Sequence, residues 1–230
     1  VAAVALVAMA VGSIAYLRVQ PQDRFATSQG EVRRLSLRDG SSITLNTASR
    51  AQVTWSDDAR RVRLLEGEAL FDVASDPRRP FIVESATTAV RAVGTSFSVR
   101  RFDTDEIEIV VREGVVAVDS LDLPDAQTTE VGANMRALDR ARQAPRVEQL
   151  DGEQVSKHLS WREGMIAFDG DTLADAAREF ARYSATPLRI EDASVAQLRV
   201  VGLFASNDPA GFARAAALSL GLETEIDEDG

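Results

Sequence analysis

The chain has no cysteine, one histidine (His158) and one lysine (Lys157) in 230 residues. Without cysteine there are no disulfide staples, thiolate metal sites or thiol nucleophiles. A single histidine makes a Ser-His-Asp triad or a His-rich metal site hard to build. His158 stands beside Lys157 and reads as an exposed polar residue. Arginine supplies nearly all the positive charge, and 26 basic residues face 36 acidic ones, a formal charge of −10. That balance disfavours binding to a phosphate backbone, which needs clustered Lys and Arg. A glycine-rich phosphate loop and a G-x-S-x-G nucleophile turn are both missing. The carboxylate clusters Asp57-Asp58, Asp103/Asp105/Glu106 and Glu223–Asp229 lack the spacing of a calcium loop and read as solvated turns and faces. A conventional enzyme on an external substrate is not expected, nor is a cofactor, a metal or direct nucleic-acid binding.

What is present is a 45% apolar share, enough to fill a core. It begins with an uncharged run, "VAAVALVAMAVGSIAYL" (Val1–Leu17). A spanning helix needs about 20 apolar residues. The run starts without Met, so residues 1–18 are expected to be a transmembrane helix whose beginning lies upstream. A signal peptide with the small-x-small pattern Ala8-Met9-Ala10 is a competing reading. A buried core helix is a third. Residues 19–30, with Pro21, read as a linker.

From Arg33 the pattern is that of short strands. "RRLSLRDGSSITLN" alternates Leu35, Leu37, then Ile43, Leu45 around Asp39-Gly40, a strong hairpin signal. "AQVTW" and "PFIVES" add strands. "RRVRLLEGEALFDV" and "EIEIVVREGVVAV" are expected as hairpins turning at Glu66-Gly67 and Glu113-Gly114. The two Glu-Gly turns resemble a weak internal repeat, but any two such hairpins look alike. Residues 31–120 are therefore expected to be mainly β, as stacked hairpins, a sandwich or a barrel. Residues 121–158 read as an irregular connector with one or two strands near Met135–Leu138.

From residue 159 the pattern changes. "MIAF" reads as a strand. Thr172 caps a helix with Asp175 three residues on, and Leu173, Ala176, Ala177 and Phe180 form its apolar face. "PLRIED" and "QLRVVGLF" read as strands. Asp208-Pro209 starts a helix that buries Phe212, Ala213, Ala216, Ala217 and Leu220 and ends at Gly221. "LETEI" closes as a strand. The expected unit, 159–230, is a small α+β domain of order β-α-β-β-α-β. Leu198, Val200, Gly202 and Phe204 are candidate partner-binding residues, because their strand could offer a free edge.

"VRAVGTSFSV" (Val90–Val99) alternates like a strand but holds Gly94-Thr95 at its centre. Glycine weakens a strand, so a bulge is one reading. A Thr hydroxyl can also attack the preceding carbonyl, and glycine there removes hindrance and permits strain. Nothing nearby in sequence supplies an activating base.

The segments Leu37–Ser49, Arg60–Val73, Arg79–Ser85, Val90–Arg101 and Val110–Val118 together resemble, in this order, the FecR family of transmembrane anti-sigma regulators. "WREGMIAFDGDTLADAAREFARYS" resembles the short signalling domain found at the N-termini of secretins and TonB-dependent receptors. The resemblance implies an inner-membrane protein with residues from about 19 onward in the periplasm. Its implied partners are the signalling domain of an outer-membrane TonB-dependent transporter and, through a segment upstream of Val1, an extracytoplasmic-function sigma factor. It also implies self-cleavage at Gly94-Thr95, as in several family members. An adaptor module without sigma-factor binding is the alternative.

Overall fold

A computed structural model describes residues 22–102, 104, 106–123 and 127–225. The expected membrane helix, Asp103, Asp105 and the acidic tail from 226 lie outside the described residues. No helix among the described residues is long and apolar enough to cross a membrane.

The chain first lays down β1 (Gln22–Ala26), β2 (Arg33–Ser36), β3 (Ser42–Leu45), β4 (Arg50–Trp55), β5 (Arg60–Glu66), β6 (Glu68–Asp72) and β7 (Phe81–Ser85). Then follow β8 (Thr88–Ala92), β9 (Ser96–Arg101), β10 (Ile107–Glu113), β11 (Val115–Ser120), β12 (Thr129–Gly132), β13 (Met135–Asp139) and β14 (Arg146–Gln149). They form two seven-stranded sheets. The first runs β1-β4-β5-β7-β8-β11-β12 and the second β14-β13-β10-β9-β6-β3-β2. Pairing is antiparallel except between β5 and β7. The mainly-β expectation is met as a sandwich. The segment expected as a connector supplies β12 to one sheet and β13 and β14 to the other.

The core between the sheets takes alternate residues from each. Val53, Val62, Leu64, Val83, Val90 and Val118 face Ile43, Leu45, Phe71, Phe97, Ile109 and Val111. Phe71 stacks on Phe97 at 5.3 Å and meets Phe81 at 5.9 Å. In the first sheet, buried positions alternate with more exposed ones along β4, β5 and β8, as expected when one face meets water. In the second sheet β3, β6, β9 and β10 are buried on both faces. Leu70 and Val110 point away from the sandwich core into a second cluster formed with the C-terminal unit. That unit covers the outer face of the second sheet.

The Asp39-Gly40 hairpin is as read: β2 and β3 pair with Leu35 opposite Ile43. The two Glu-Gly hairpins are not hairpins. At Gly67 the chain passes from β5 in the first sheet to β6 in the second, and at Gly114 from β10 in the second to β11 in the first. Each glycine has a left-handed backbone, φ 78° and 83°, which lets one residue turn the strand across the sandwich. "VRAVGTSFSV" is likewise not one strand. Gly94 and Thr95 lie on the crossing from β8 to β9, again between sheets.

The C-terminal unit contains α1 (Gly152–His158), a 3-10 turn (Ser160–Glu163), β15 (Met165–Thr172), α2 (Leu173–Tyr183), α3 (Ala193–Ala196), β16 (Arg199–Ala205) and α4 (Pro209–Leu220). The caps are as read. Thr172 and Asp175 form a reciprocal capping box, Asp208 accepts from the Gly211 N–H, and Gly221 ends α4 at φ 68°. Phe168, Phe180, Phe204 and Phe212 pack together with centroids 4.7–6.0 Å apart. Two expected strands are corrected. Pro187–Asp192 forms no ladder; its Leu188 and Ile190 pack on the core while Arg189 between them and Pro187 and Glu191 on either side stay exposed. The alternation there reports one-sided burial without hydrogen-bonded pairing. Residues 222–225 form no ladder either, so the observed sheet is β15-β16 alone among the described residues.

Candidate functional site

Two other segments pack against the crossing at Gly94-Thr95. A Cβ at Gly94 would lie 3.0 Å from Ser75 Cβ and 3.2 Å from Ser75 Cα. A Cβ at Gly114 would lie 2.7 Å from Thr95 Cγ2 and 3.3 Å from the Gly94 carbonyl oxygen. The Thr95 carbonyl accepts the Val73 N–H at 2.9 Å, anchoring the crossing to the end of β6. Thr95 is buried, and among the described residues its Oγ1 has no hydrogen-bond partner. A buried hydroxyl without a partner is uncommon and asks for an explanation. The irregularity predicted at Gly94 falls instead on the facing strand: Ser96 pairs with Glu113, and the register slips across Arg112.

This corner opens on a concavity of about 440 Å³ lined by Arg34, Asp72, Gly94, Thr95, Ser96 and Arg112, among others. Asp72 organises it. Its carboxylate accepts Ser96 Oγ at 2.8 Å and Arg112 Nη2 at 3.0 Å on Oδ1, and Ser42 Oγ at 3.3 Å and Arg34 at 3.5 Å on Oδ2. Arg162, from the 3-10 turn of the C-terminal unit, stands near the same group. Burial, and then the Arg112 guanidinium, work against its charge and hold it below the usual arginine value. Sequence reasoning misses Asp72, Arg112, Ser75 and Gly114. The Glu-Gly pattern is the available signal for Gly114, but by itself it reads as a local turn. His158 lies elsewhere, on α1, with Nδ1 3.9 Å from Glu108 Oε2.

A second cluster joins the C-terminal unit to the sandwich. Arg182 on α2 pairs with Glu68 on β6 at 3.1 Å and with Glu179, and Glu179 pairs with Arg100 on β9 at 2.7 Å. Asn46 Nδ2 donates to Glu68 at 2.9 Å and to the Tyr183 hydroxyl at 2.8 Å. Thr47 Oγ1 donates to the Arg182 carbonyl at 2.7 Å. Burial opposes the charge on Glu179, but the Arg100 and Arg182 guanidiniums outweigh it and hold the carboxyl below its usual range. Burial, and then Glu68, push the Tyr183 phenol up, so it stays neutral.

The four candidate partner-binding residues separate. Val200 and Phe204 face the core of the C-terminal unit, where Phe204 meets Phe212 edge-on at 4.9 Å. Gly202 gives room to the Phe204 ring, 2.9 Å from where its Cβ would be. Leu198 precedes β16. The residues that β16 turns outward are Val201 and Leu203, 72% and 57% exposed. Among the described residues β16 pairs only with β15, so its second edge carries no strand. No group of three or more metal-binding side chains occurs among the described residues.

A β-sandwich with a helix-containing cap on one sheet is thus the class of architecture. Residues 23–117 match the family described as FecR protein, so the chain carries a FecR-family domain over most of the sandwich. The whole fold is similar to two crystal structures, at 2.50 and 1.65 Å, of a protein described as a candidate anti-sigma factor from Parabacteroides distasonis ATCC 8503. Each has a TM-score of 0.74 and 22% identity, and the match covers 90% of this chain and 96% or 95% of the other. No curated protein matches the chain significantly.

Proposed function

We propose that this chain is the sensing and relay part of an anti-sigma regulator. The observation that carries the reading is a FecR domain set in a fold that follows the candidate anti-sigma factor through the C-terminal unit as well. In this reading the chain lies in the periplasm beyond an inner-membrane helix. The C-terminal unit meets the signalling domain of a TonB-dependent outer-membrane transporter, and a segment upstream of Val1 holds an extracytoplasmic-function sigma factor. The free edge of β16, with Val201 and Leu203 beside it, supports strand addition as the mode of contact. The test is capture of the chain from Gln22 onward by such a signalling domain. Capture is expected, and it should be lost in Val201→Asp/Leu203→Asp, whose changes leave the core untouched. Absence of capture by the signalling domains of the transporters that share its outer membrane rejects the relay.

The same reading includes self-cleavage at Gly94-Thr95. Thr95 Oγ attacks the Gly94 carbonyl carbon; the new C–O bond forms, the C–N bond breaks, and the hydroxyl proton passes to the Thr95 nitrogen. Water then splits the ester, leaving a Gly94 carboxylate and restoring the Thr95 hydroxyl. A buried Oγ1 with no hydrogen-bond partner among the described residues, next to an acyl group that carries no side chain, supports this chemistry. Mass spectrometry is expected to find fragments that end at Gly94 and begin at Thr95, together one water heavier than the chain, and none from Thr95→Ala. An intact wild-type chain rejects cleavage.

A further inference from the structure

We infer that Gly114 is a positioning residue for Thr95: it seats the threonine methyl and so aims Oγ1 at the Gly94 carbonyl. This rests on the self-cleavage reading above and adds a residue to it. Most buried hydroxyls are oriented by the hydrogen bonds they make, and Thr95 Oγ1 makes none to the described residues. Something else must fix χ1. In a β-branched side chain, placing the methyl also places the oxygen, because both hang on the same Cβ. The methyl lies in the room that the missing side chain of Gly114 leaves. A Cβ there would fall 2.7 Å from Thr95 Cγ2, closer than real atoms approach, so Thr95 Cγ2 already occupies the space a side chain at 114 would take. The Gly94 carbonyl oxygen and Thr95 Cβ border the same space, each at 3.3 Å.

The seat is rigid for a reason of topology. Gly114 turns the chain between sheets next to Glu113, and Glu113 pairs with Ser96, the residue after Thr95. Two crossings of the sandwich are thereby locked in register. Ser75 packs against Gly94, 3.0 Å from where a Cβ at 94 would be, so both Ser75 and Gly114 border the peptide bond. Orientation by a methyl leaves the oxygen lone pairs free for attack, whereas orientation by a hydrogen-bond donor to the oxygen would occupy one of them. Accurate placement of reacting groups is a large part of any intramolecular rate.

The test is a steric cycle. Thr95→Ser keeps the hydroxyl and removes Cγ2. Gly114→Ala adds the methyl that collides with Cγ2. We expect Gly114→Ala alone to slow cleavage at least tenfold. Thr95→Ser should slow it severalfold, since its hydroxyl is free to rotate. In the pair Thr95→Ser/Gly114→Ala the alanine methyl fills the place that Cγ2 left, and cleavage should return to within about threefold of Thr95→Ser. Strain from the left-handed backbone at 114 acts in both backgrounds, so it cannot produce this rescue. Equal slowing by Gly114→Ala in both backgrounds, or none in either, overturns the inference. Melting temperatures of the four chains are read in parallel. If the wild type stays intact, cleavage itself fails, and the seat is judged by melting alone. Gly114→Ala should then lower the melting temperature more in the wild-type background than in the Thr95→Ser background, and additive shifts overturn it.

Discussion

Arg60 is almost fully buried, in a protein whose other arginines pair mostly at the surface. Its guanidinium donates to Asp39 Oδ2 at 2.8 Å and to the Ala74 and Arg79 carbonyls at 2.8 Å each, under the Phe81 ring. It ties the β2–β3 hairpin to the segment after β6 and to the start of β7. Burial opposes the charge on Asp39, but hydrogen bonds from Ser41 and Arg60 hold its carboxyl below the usual range. Removing one partner of a buried pair leaves the other uncompensated. Arg60→Met is therefore expected to cost about 3–5 kcal/mol, read as a lower denaturant midpoint at unchanged slope. Asp39→Asn, which keeps an acceptor for Arg60, should cost less. The sequence held a clue to this burial. Arg60 is in phase with Val62 and Leu64, the inward positions of β5. Alternation says which face a side chain takes, but an arginine on that face has a partner only if the tertiary fold brings one, here Asp39, 21 positions earlier in the chain. The same limit hid Asp72 and Gly114 beside Thr95, since each comes from a different part of the sandwich.

At the scale of elements, strand positions were legible and strand partners were not. The caps of α2 and α4 and the Asp39-Gly40 hairpin are local chemistry, and each stands where the residues put it. Whether a turn keeps the chain in one sheet or sends it across the sandwich depends on what lies opposite. At Gly67 that is Ser49, on the crossing from β3 to β4. Ser49 Oγ accepts the Glu68 N–H at 2.9 Å, and a Cβ at Gly67 would come within 2.8 Å of Ser49 Cα. Gly67→Ala should therefore combine a left-handed backbone at a non-glycine residue with a backbone collision. A loss of about 2 kcal/mol or more is expected by chemical denaturation. Gly152→Ala is the control. It opens α1 with nothing within 4 Å and has no left-handed backbone, so its stability should stay within about 0.5 kcal/mol of the wild type. Equal effects at 67 and 152 would mean that the crossings tolerate a side chain.

For the whole molecule the question is how firmly the C-terminal unit is held on the second sheet. Its apolar contact with that sheet is small, centred on Leu70 and Val110, whereas polar and charged groups line the rest. Glu68 and Glu179 accept from Arg182, and Glu179 also from Arg100, so docking depends on carboxylates staying ionised. Glu179 is held below its ordinary value of 4.5 in the folded protein. A depressed carboxyl binds fewer protons folded than unfolded. Its stabilising contribution is complete above about pH 4.5 and is lost as pH falls through the lower folded value. Acid should thus loosen α2 from β6 and β9. Amide exchange along Leu173–Tyr183 is expected to quicken as pH is lowered below about 4.5, after correction for the intrinsic rate. In Glu179→Gln the pairing with Arg100 and Arg182 is weaker at every pH, so the same amides should start less protected and depend less on pH. Exchange in α2 with the same pH dependence in both proteins would place the acid-sensitive contact elsewhere. If the dependence differs as expected, the joint that a relay would have to move is the ionic cluster at Arg182.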